Sequence, residues 1–229
     1  MKVFAISDLH LDFAAQKPMD VFNDKWKNHS AQIEMNWRSE IRDEDMILIP
    51  GDISWAMRFE QAKMDLDWLE RLPGTKICIR GNHDYWWSRP QKLNAYYKHI
   101  LFLQNTAYFI GDLAICGTRG WNSPNNISFT QEDERLYERE LHRLQLSLNN
   151  AKDAKEIWIM LHYPPTAMKE KESSLIQLLR AYPVTKVIYG HLHDELSWSQ
   201  SLIGEYNKIT YELVAADYLG FKPLYIGEI

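Results

Sequence analysis

The chain has 229 residues, a length that suits one domain with room for a small insertion. Hydrophobic residues make up 45% and charged residues 25%, which excludes a disordered or fibrous chain. A net charge of -5, from 26 basic and 31 acidic residues, argues against a broad basic face that grips a nucleic-acid backbone. It leaves room for a local cationic site, because bound metal ions do not enter a sequence charge count.

In chain order, residues 3–6 read as a buried strand that ends at Ser7-Asp8. A weak helical stretch, 28–42, precedes a second strand, 46–49, which ends at Pro50-Gly51-Asp52. Residues 59–72 place Ala62, Leu66 and Leu69 at helical spacing. A third strand, 77–79, ends at Gly81-Asn82-His83-Asp84. Residues 102–109 and 113–116 read as further strands, with Gly111-Asp112 as the turn before the second. The long loop 120–128 leads into a helix over 130–150, which carries Leu136, Leu141, Leu144 and Leu148. A fourth strand, 157–161, ends at His162. A helix over 172–182 and a fifth strand, 184–189, lead to Gly190-His191-Leu192-His193. Residues 209–229 read as strands with no helix between them. Strands separated by helices predict an α/β fold. No composition shift or repeat marks a boundary, so a single domain over 1–229 is expected.

Cys78 and Cys116 each sit in an apolar stretch and read as buried free thiols, which suits a reducing cytoplasm. Only four apolar residues stand together near the N-terminus, too few for a signal peptide. No apolar run approaches the roughly 18 residues of a membrane span, so no membrane partner is expected.

All five main strands end in residues of ligand type. Asp8 and His10 follow the first, Asp52 the second, Asn82 and His83 the third, His162 the fourth, and His191 and His193 the fifth. In open α/β sheets functional groups gather at the carboxyl ends of strands. Taken singly, Asp8, Asp52 and Asn82 have a bland reading as turn residues. His191 and His193 flank one residue and point the same way on an extended chain, which favours metal over packing. Five of the eight histidines lie at these ends; His29, His99 and His142 read as packing or surface residues. Imidazole with carboxylate and amide oxygen suits zinc, manganese or iron. One shared carboxylate can hold two ions about 3.5–4 Å apart.

The blocks Asp8-Leu9-His10, Gly51-Asp52, Gly81-Asn82-His83-Asp84, His162 and Gly190-His191-Leu192-His193 resemble, in order, those of the calcineurin-like metallophosphoesterase superfamily. The resemblance implies two facing mixed sheets flanked by helices, a four-layer sandwich. It implies two divalent ions, Mn, Fe or Zn. Asp8, His10 and His193 would hold the first, Asn82, His162 and His191 the second, and Asp52 would bridge them. His83 is not a ligand in that pattern; it would protonate the leaving group or hold the transferring phosphate. Asp84 would orient His83 or brace the loop. The implied reaction is hydrolysis of a phosphate ester by a hydroxide that bridges the metals. Asp84 stands where the Ser/Thr protein phosphatases carry Glu, and their further Asp and Arg after the second block are absent. The chain looks more like the small bacterial phosphohydrolases of the superfamily.

The expected partner is a small phosphorylated substrate. Trp55, Tyr85, Trp86, Trp87 and Trp121 crowd the motif loops; most are expected in the core, and one lining the site would suit a nucleotide-like substrate. Arg119 would serve a phosphate, a carboxylate or a surface ion pair, and Arg58 and Arg80 lie near motifs without an assigned role. The alternatives are a nuclease or nucleotide phosphodiesterase on the same chemistry, which would want a basic groove at the mouth, and a non-catalytic scaffold, which would have lost ligands or His83.

Overall fold

The apolar runs that end in Asp, Asn and His are strands, and they sort into two mixed sheets of five and six strands with helices between them in the chain. The computed structural model describes residues 1–14, 17–21, 23–124, 126 and 129–229. The loop expected over 120–128 therefore lies partly outside the described residues, at 125, 127 and 128. The chain folds as two compact units.

The first unit comprises Met1–Phe102 and Val214–Ile229. Its strands are β1 (Lys2–Ala5), β2 (Met46–Ile49), β3 (Thr75–Cys78), β4 (Ile100–Phe102) and the last strand, β11 (Leu224–Glu228). Their order is β11-β1-β2-β3-β4, parallel from β1 to β4, with β11 antiparallel on the edge. Parallel strands bury both faces, so Met46–Ile49 is buried at all four positions and shows no alternation. Helices α1 (His29–Glu40) and α2 (Phe59–Glu70) contribute Ile33, Trp37, Ala62, Leu66 and Leu69 to the core. A single turn, α3 (Pro90–Leu93), starts on proline, which is preorganised for that position.

The second unit comprises Leu103–Leu213. Its strands are β5 (Tyr108–Ile110), β6 (Leu113–Thr118), β7 (Glu156–Leu161), β8 (Val184–Tyr189), β9 (Gly204–Tyr206) and β10 (Ile209–Leu213). The order is β5-β6-β7-β8-β10-β9, with both edge strands antiparallel to a parallel centre. Helix α4 (Gln131–Asn150) is started by a capping box between Thr130 and Asp133. Two shorter helices, α5 (Ser174–Leu179) and α6 (Glu195–Gln200), are capped by Ser173 and Asp194.

Two readings change, and a third, that of residues 209–229 as strands with no helix between them, holds. The strand expected over 102–109 is two strands, β4 and β5, with Asn105 between them in the left-handed region at φ 58°. The helix expected over 172–182 is shorter, because Ser173 caps it and it ends at Leu179. The two strands after residue 208 join different sheets, β10 pairing with β8 and β11 with β1. Among the described residues no helix is long and apolar enough to cross a membrane.

Candidate metal centre

In the first unit the loops after β1 and β2 run side by side. Asp8 N–H donates to Gly51 O, His10 N–H to Asp52 O, Leu11 N–H to Ile53 O and Trp55 N–H to Leu11 O, each at 3.0 Å. This pairing extends the parallel ladder past the strand ends. It fixes the backbone that carries Asp8, His10 and Asp52. All three residues hold left-handed φ values, 57°, 44° and 52°. Such conformations are uncommon for residues other than glycine and cluster at functional sites.

The side chains converge. Asp8, His10 and Asp52 are buried. His10 Nε2 lies 3.7 Å from Asp52 Oδ2 and 4.0 Å from Asp8 Oδ1. These separations are too long for hydrogen bonds. They match donors that each bind one shared ion at about 2.0–2.2 Å. Ser7 Oγ donates to Asp8 Oδ2 and fixes that carboxylate from behind. Two buried carboxylates around an imidazole therefore fit a zinc-, manganese- or iron-type ion.

The loop after β3 is tied to the same carboxylate. His83 N–H donates to Asp52 Oδ1 at 2.8 Å, with Asn82 one residue before it. Gly81 has no room for a side chain: a Cβ there would lie 2.0 Å from Asp52 Oδ1 and 2.2 Å from Asp52 N. Trp55 packs on both histidines of this unit's site. Its ring is stacked on His10 at 4.8 Å and lies 4.1 Å from the His83 ring. Trp86 and Trp87 are in the core, as expected for most of these aromatics. Tyr85 is exposed, with its ring 6.3 Å from His83.

In the second unit, Arg119 O accepts from His162 N–H at 3.0 Å and from Tyr163 N–H at 2.9 Å, and His162 O accepts from Gly190 N–H at 3.2 Å. The ends of β6, β7 and β8 are thereby linked. His162 is fully buried, and its Nε2 lies 3.2 Å from His191 Nδ1. Two imidazole nitrogens at that distance share a proton or flank a common ion. His191 is left-handed at φ 74°, and the Tyr163 ring packs on it at 4.0 Å. His193 follows two residues later and is exposed.

The other histidine readings fit what is seen at His29. Its ring packs against Trp26 and Phe221, and burial lowers its pKa. Arg119 is tied to Glu140 at 3.4 Å and lies 4.4 Å over the Trp121 ring. Arg80 Nε donates to Asp84 O at 3.2 Å, a loop contact.

Three supporting acids were not singled out from the sequence or were left open there. Asp84 accepts from Gly81, Asp52, Ile53 and Ser54 backbone N–H groups, which makes it a loop brace. Asp65 on α2 is buried and accepts from Phe13 N–H at 2.8 Å and from Ser54 Oγ; burial raises its pKa. Glu140 on α4 is buried and accepts from Thr118 Oγ1 at 2.7 Å and from Arg143 at 2.8 Å. The signal for the last two was a carboxylate inside an apolar helical stripe, Asp65 beside Ala62 and Leu69, and Glu140 before Leu144.

A family model described as calcineurin-like phosphoesterase matches residues 1–195. A protein of Synechococcus sp. described as a probable cyclic nucleotide phosphodiesterase is 26% identical over 162 residues, 66% of this chain and 59% of its own. An uncharacterised protein of Methanocaldococcus jannaschii is 31% identical over 88 residues, 36% of this chain and 47% of its own. This chain thus spans about half the length of these curated relatives. The crystal structure of a phosphopantetheinyl hydrolase from Mycobacterium tuberculosis shares the fold, with a TM-score of 0.59 at 13% identity, over 98% of this chain and 95% of that one. The family match takes in every motif block from Asp8 to His193, and the chain belongs to the calcineurin-like phosphoesterase family.

Proposed function

We propose that this chain hydrolyses a small phosphate ester with two divalent ions, of which manganese, iron and zinc suit the donors best. Asp8, His10 and His193 would hold one ion and Asn82, His162 and His191 the other, with Asp52 available to both. The observation that carries the reading is the approach of His10 Nε2 to both Asp8 and Asp52, on loops whose backbones are paired beyond the strands. The two buried thiols, Cys78 and Cys116, support a reducing compartment such as the cytoplasm.

When bound, such ions make water a nucleophile at neutral pH and draw negative charge off the phosphoryl oxygens. The protein's own groups do the rest. Asp8 and Asp52 would orient bound ions, and two carboxylates offset only part of the charge of two divalent cations, so an anionic ester would still be attracted. Asp52 also fixes His83, by accepting its backbone N–H. Trp55, packed on the His83 ring, holds that imidazole in one place, where it delivers a proton to the departing alcohol.

The test refills metal-free protein with Mn, Zn, Fe or Mg and assays p-nitrophenyl phosphate and bis(p-nitrophenyl) phosphate. Hydrolysis that needs one of the first three metals supports the reading. No hydrolysis of either ester with any metal contradicts it. The Synechococcus relative favours the diester arm.

A further inference from the structure

Within the second unit a cleft of about 150 Å³ lies against His191. Asn122, Ser123, Thr166, Met168 and Ser201 line it with that histidine. Ser123 is 5% exposed, and its Oγ has no hydrogen-bond partner among the described residues. Buried polar groups in native proteins nearly always have partners, and this orphan belongs to a residue of the cleft wall, where a turn of χ1 would offer it to an occupant. Thr166 Oγ1 donates to Glu170 O at 3.0 Å and Ser201 Oγ to Trp198 O at 2.9 Å. Both hydroxyls keep lone pairs with which to accept.

No Asp, Glu, Lys or Arg is among the described residues of this wall. It combines neutral donors and acceptors with the apolar Met168 and Leu192. That combination offers a second phosphate no cationic partner and suits an uncharged ring with hydroxyls. The size agrees: about half the ~300 Å³ at which drug-sized pockets begin, it takes one ring and not a whole nucleotide. The His191 wall is stiffened from behind, because Tyr163 packs on His191 and Trp121 packs on Tyr163 at 5.0 Å.

We propose that this cleft is a subsite for the sugar-type alcohol of a phosphodiester, with Ser123 Oγ as its hydrogen-bond partner and the ester phosphate at the His191 end. The assignment rests on the phosphoesterase reading above for the phosphate, and on the cleft alone for the ring.

The experiment compares two diesters with one leaving group: the p-nitrophenyl ester of thymidine 5′-phosphate, and ethyl p-nitrophenyl phosphate. The metal-loaded wild type should favour the thymidine ester by about 10-fold or more in kcat/KM. Ser123→Leu, which fills the cleft, should bring the two substrates to near equality. So should Met168→Trp, at an exposed position whose change does not disturb the core. A second arm titrates thymidine into metal-free protein by ligand-observed NMR. Saturable binding that Ser123→Leu abolishes supports the subsite. A wild-type preference near unity, a preference that survives both substitutions, or no saturable binding overturns it. If the wild type cleaves neither ester, the phosphoesterase reading fails and the binding arm alone decides the cleft.

Discussion

The carboxylate of Asp84 accepts the backbone N–H of Asp52 at 3.0 Å, although the two residues are 32 apart in the chain. The same carboxylate takes the N–H groups of Gly81 at 2.7 Å, Ile53 at 2.9 Å and Ser54 at 3.2 Å, and the Trp86 indole N–H at 3.1 Å. Burial pushes its pKa up to about 6, and the backbone donors pull the other way. The loop after β2 and the loop after β3 therefore hang on one side chain, and so does the placement of Asp52 and His83.

Asp84→Ala leaves four backbone N–H groups and an indole N–H without their acceptor. Each buried orphan costs about 1–3 kcal/mol. We expect a loss of at least ~3 kcal/mol in urea denaturation together with loss of bound metal. A change below ~1 kcal/mol would show that the loops hold without the brace.

Gly81→Ala tests the close approach to Asp52 without replacing a candidate ligand. The added Cβ would have to displace Asp52 Oδ1, only 2.0 Å away, or move the loop. Metal affinity should fall by about 10-fold or more, within the range seen when groups that orient ligands are changed. Wild-type affinity in isothermal titration would refute this coupling.

His83→Gln separates proton transfer from metal binding. A general acid contributes typically ~10²–10⁴-fold. The loss should be large on an alkyl phosphate, which departs as a basic alkoxide, and small on an aryl phosphate with an electron-poor ring. Metal content should stay at the wild-type level. An equal loss on both esters would assign His83 to binding the phosphoryl oxygens, and loss of an ion would make it a ligand.

Lys76 in β3 is fully buried, its Nζ donating to Leu72 O, and burial lowers its pKa to about 8. The unfolded chain holds that proton up to about pH 10.4. Between those values the unfolded state binds more protons, so this group makes stability rise with pH. Below pH 8 it destabilises the fold by about 3 kcal/mol relative to high pH. Lys76→Met removes the dependence. The stability gap between variant and wild type in denaturant titrations should shrink by about that amount from pH 7 to pH 10.5. A gap that does not change with pH would mean that Lys76 titrates normally.

The strand ends could be read from the sequence because each apolar run stops at a residue that no core accepts unpaired, as at Ile49 before Asp52 or Leu161 before His162. The helix faces were less legible. Leu136 and Leu141 were expected to face the core of α4, yet the buried face runs through Tyr137, Glu140, Leu144, Ser147 and Leu148. Glu140 is there because Thr118 and Arg143 satisfy it, and pattern alone does not show such partners. The break between β4 and β5 turns on the left-handed backbone at Asn105, a tertiary choice that the apolar run 100–103 conceals. The aromatic role was legible in kind but not in place. Trp55 is the tryptophan that packs on His10 and His83, while Trp86 serves the core and the Asp84 brace.

The central claim is a pair of ions per chain, and counting them tests it most directly. Metal-free protein would be saturated in turn with Mn, Zn, Fe and Mg, desalted and analysed by inductively coupled plasma mass spectrometry. The account predicts about two ions per chain for at least one of these metals. Asp52→Ala should lower occupancy of both sites, and His193→Ala should leave about one. Circular dichroism on the chelated wild type should keep its strand and helix signals, since the apolar strands form the core without metal. Saturation at one ion or fewer with all four metals, in protein that remains folded, would contradict the account.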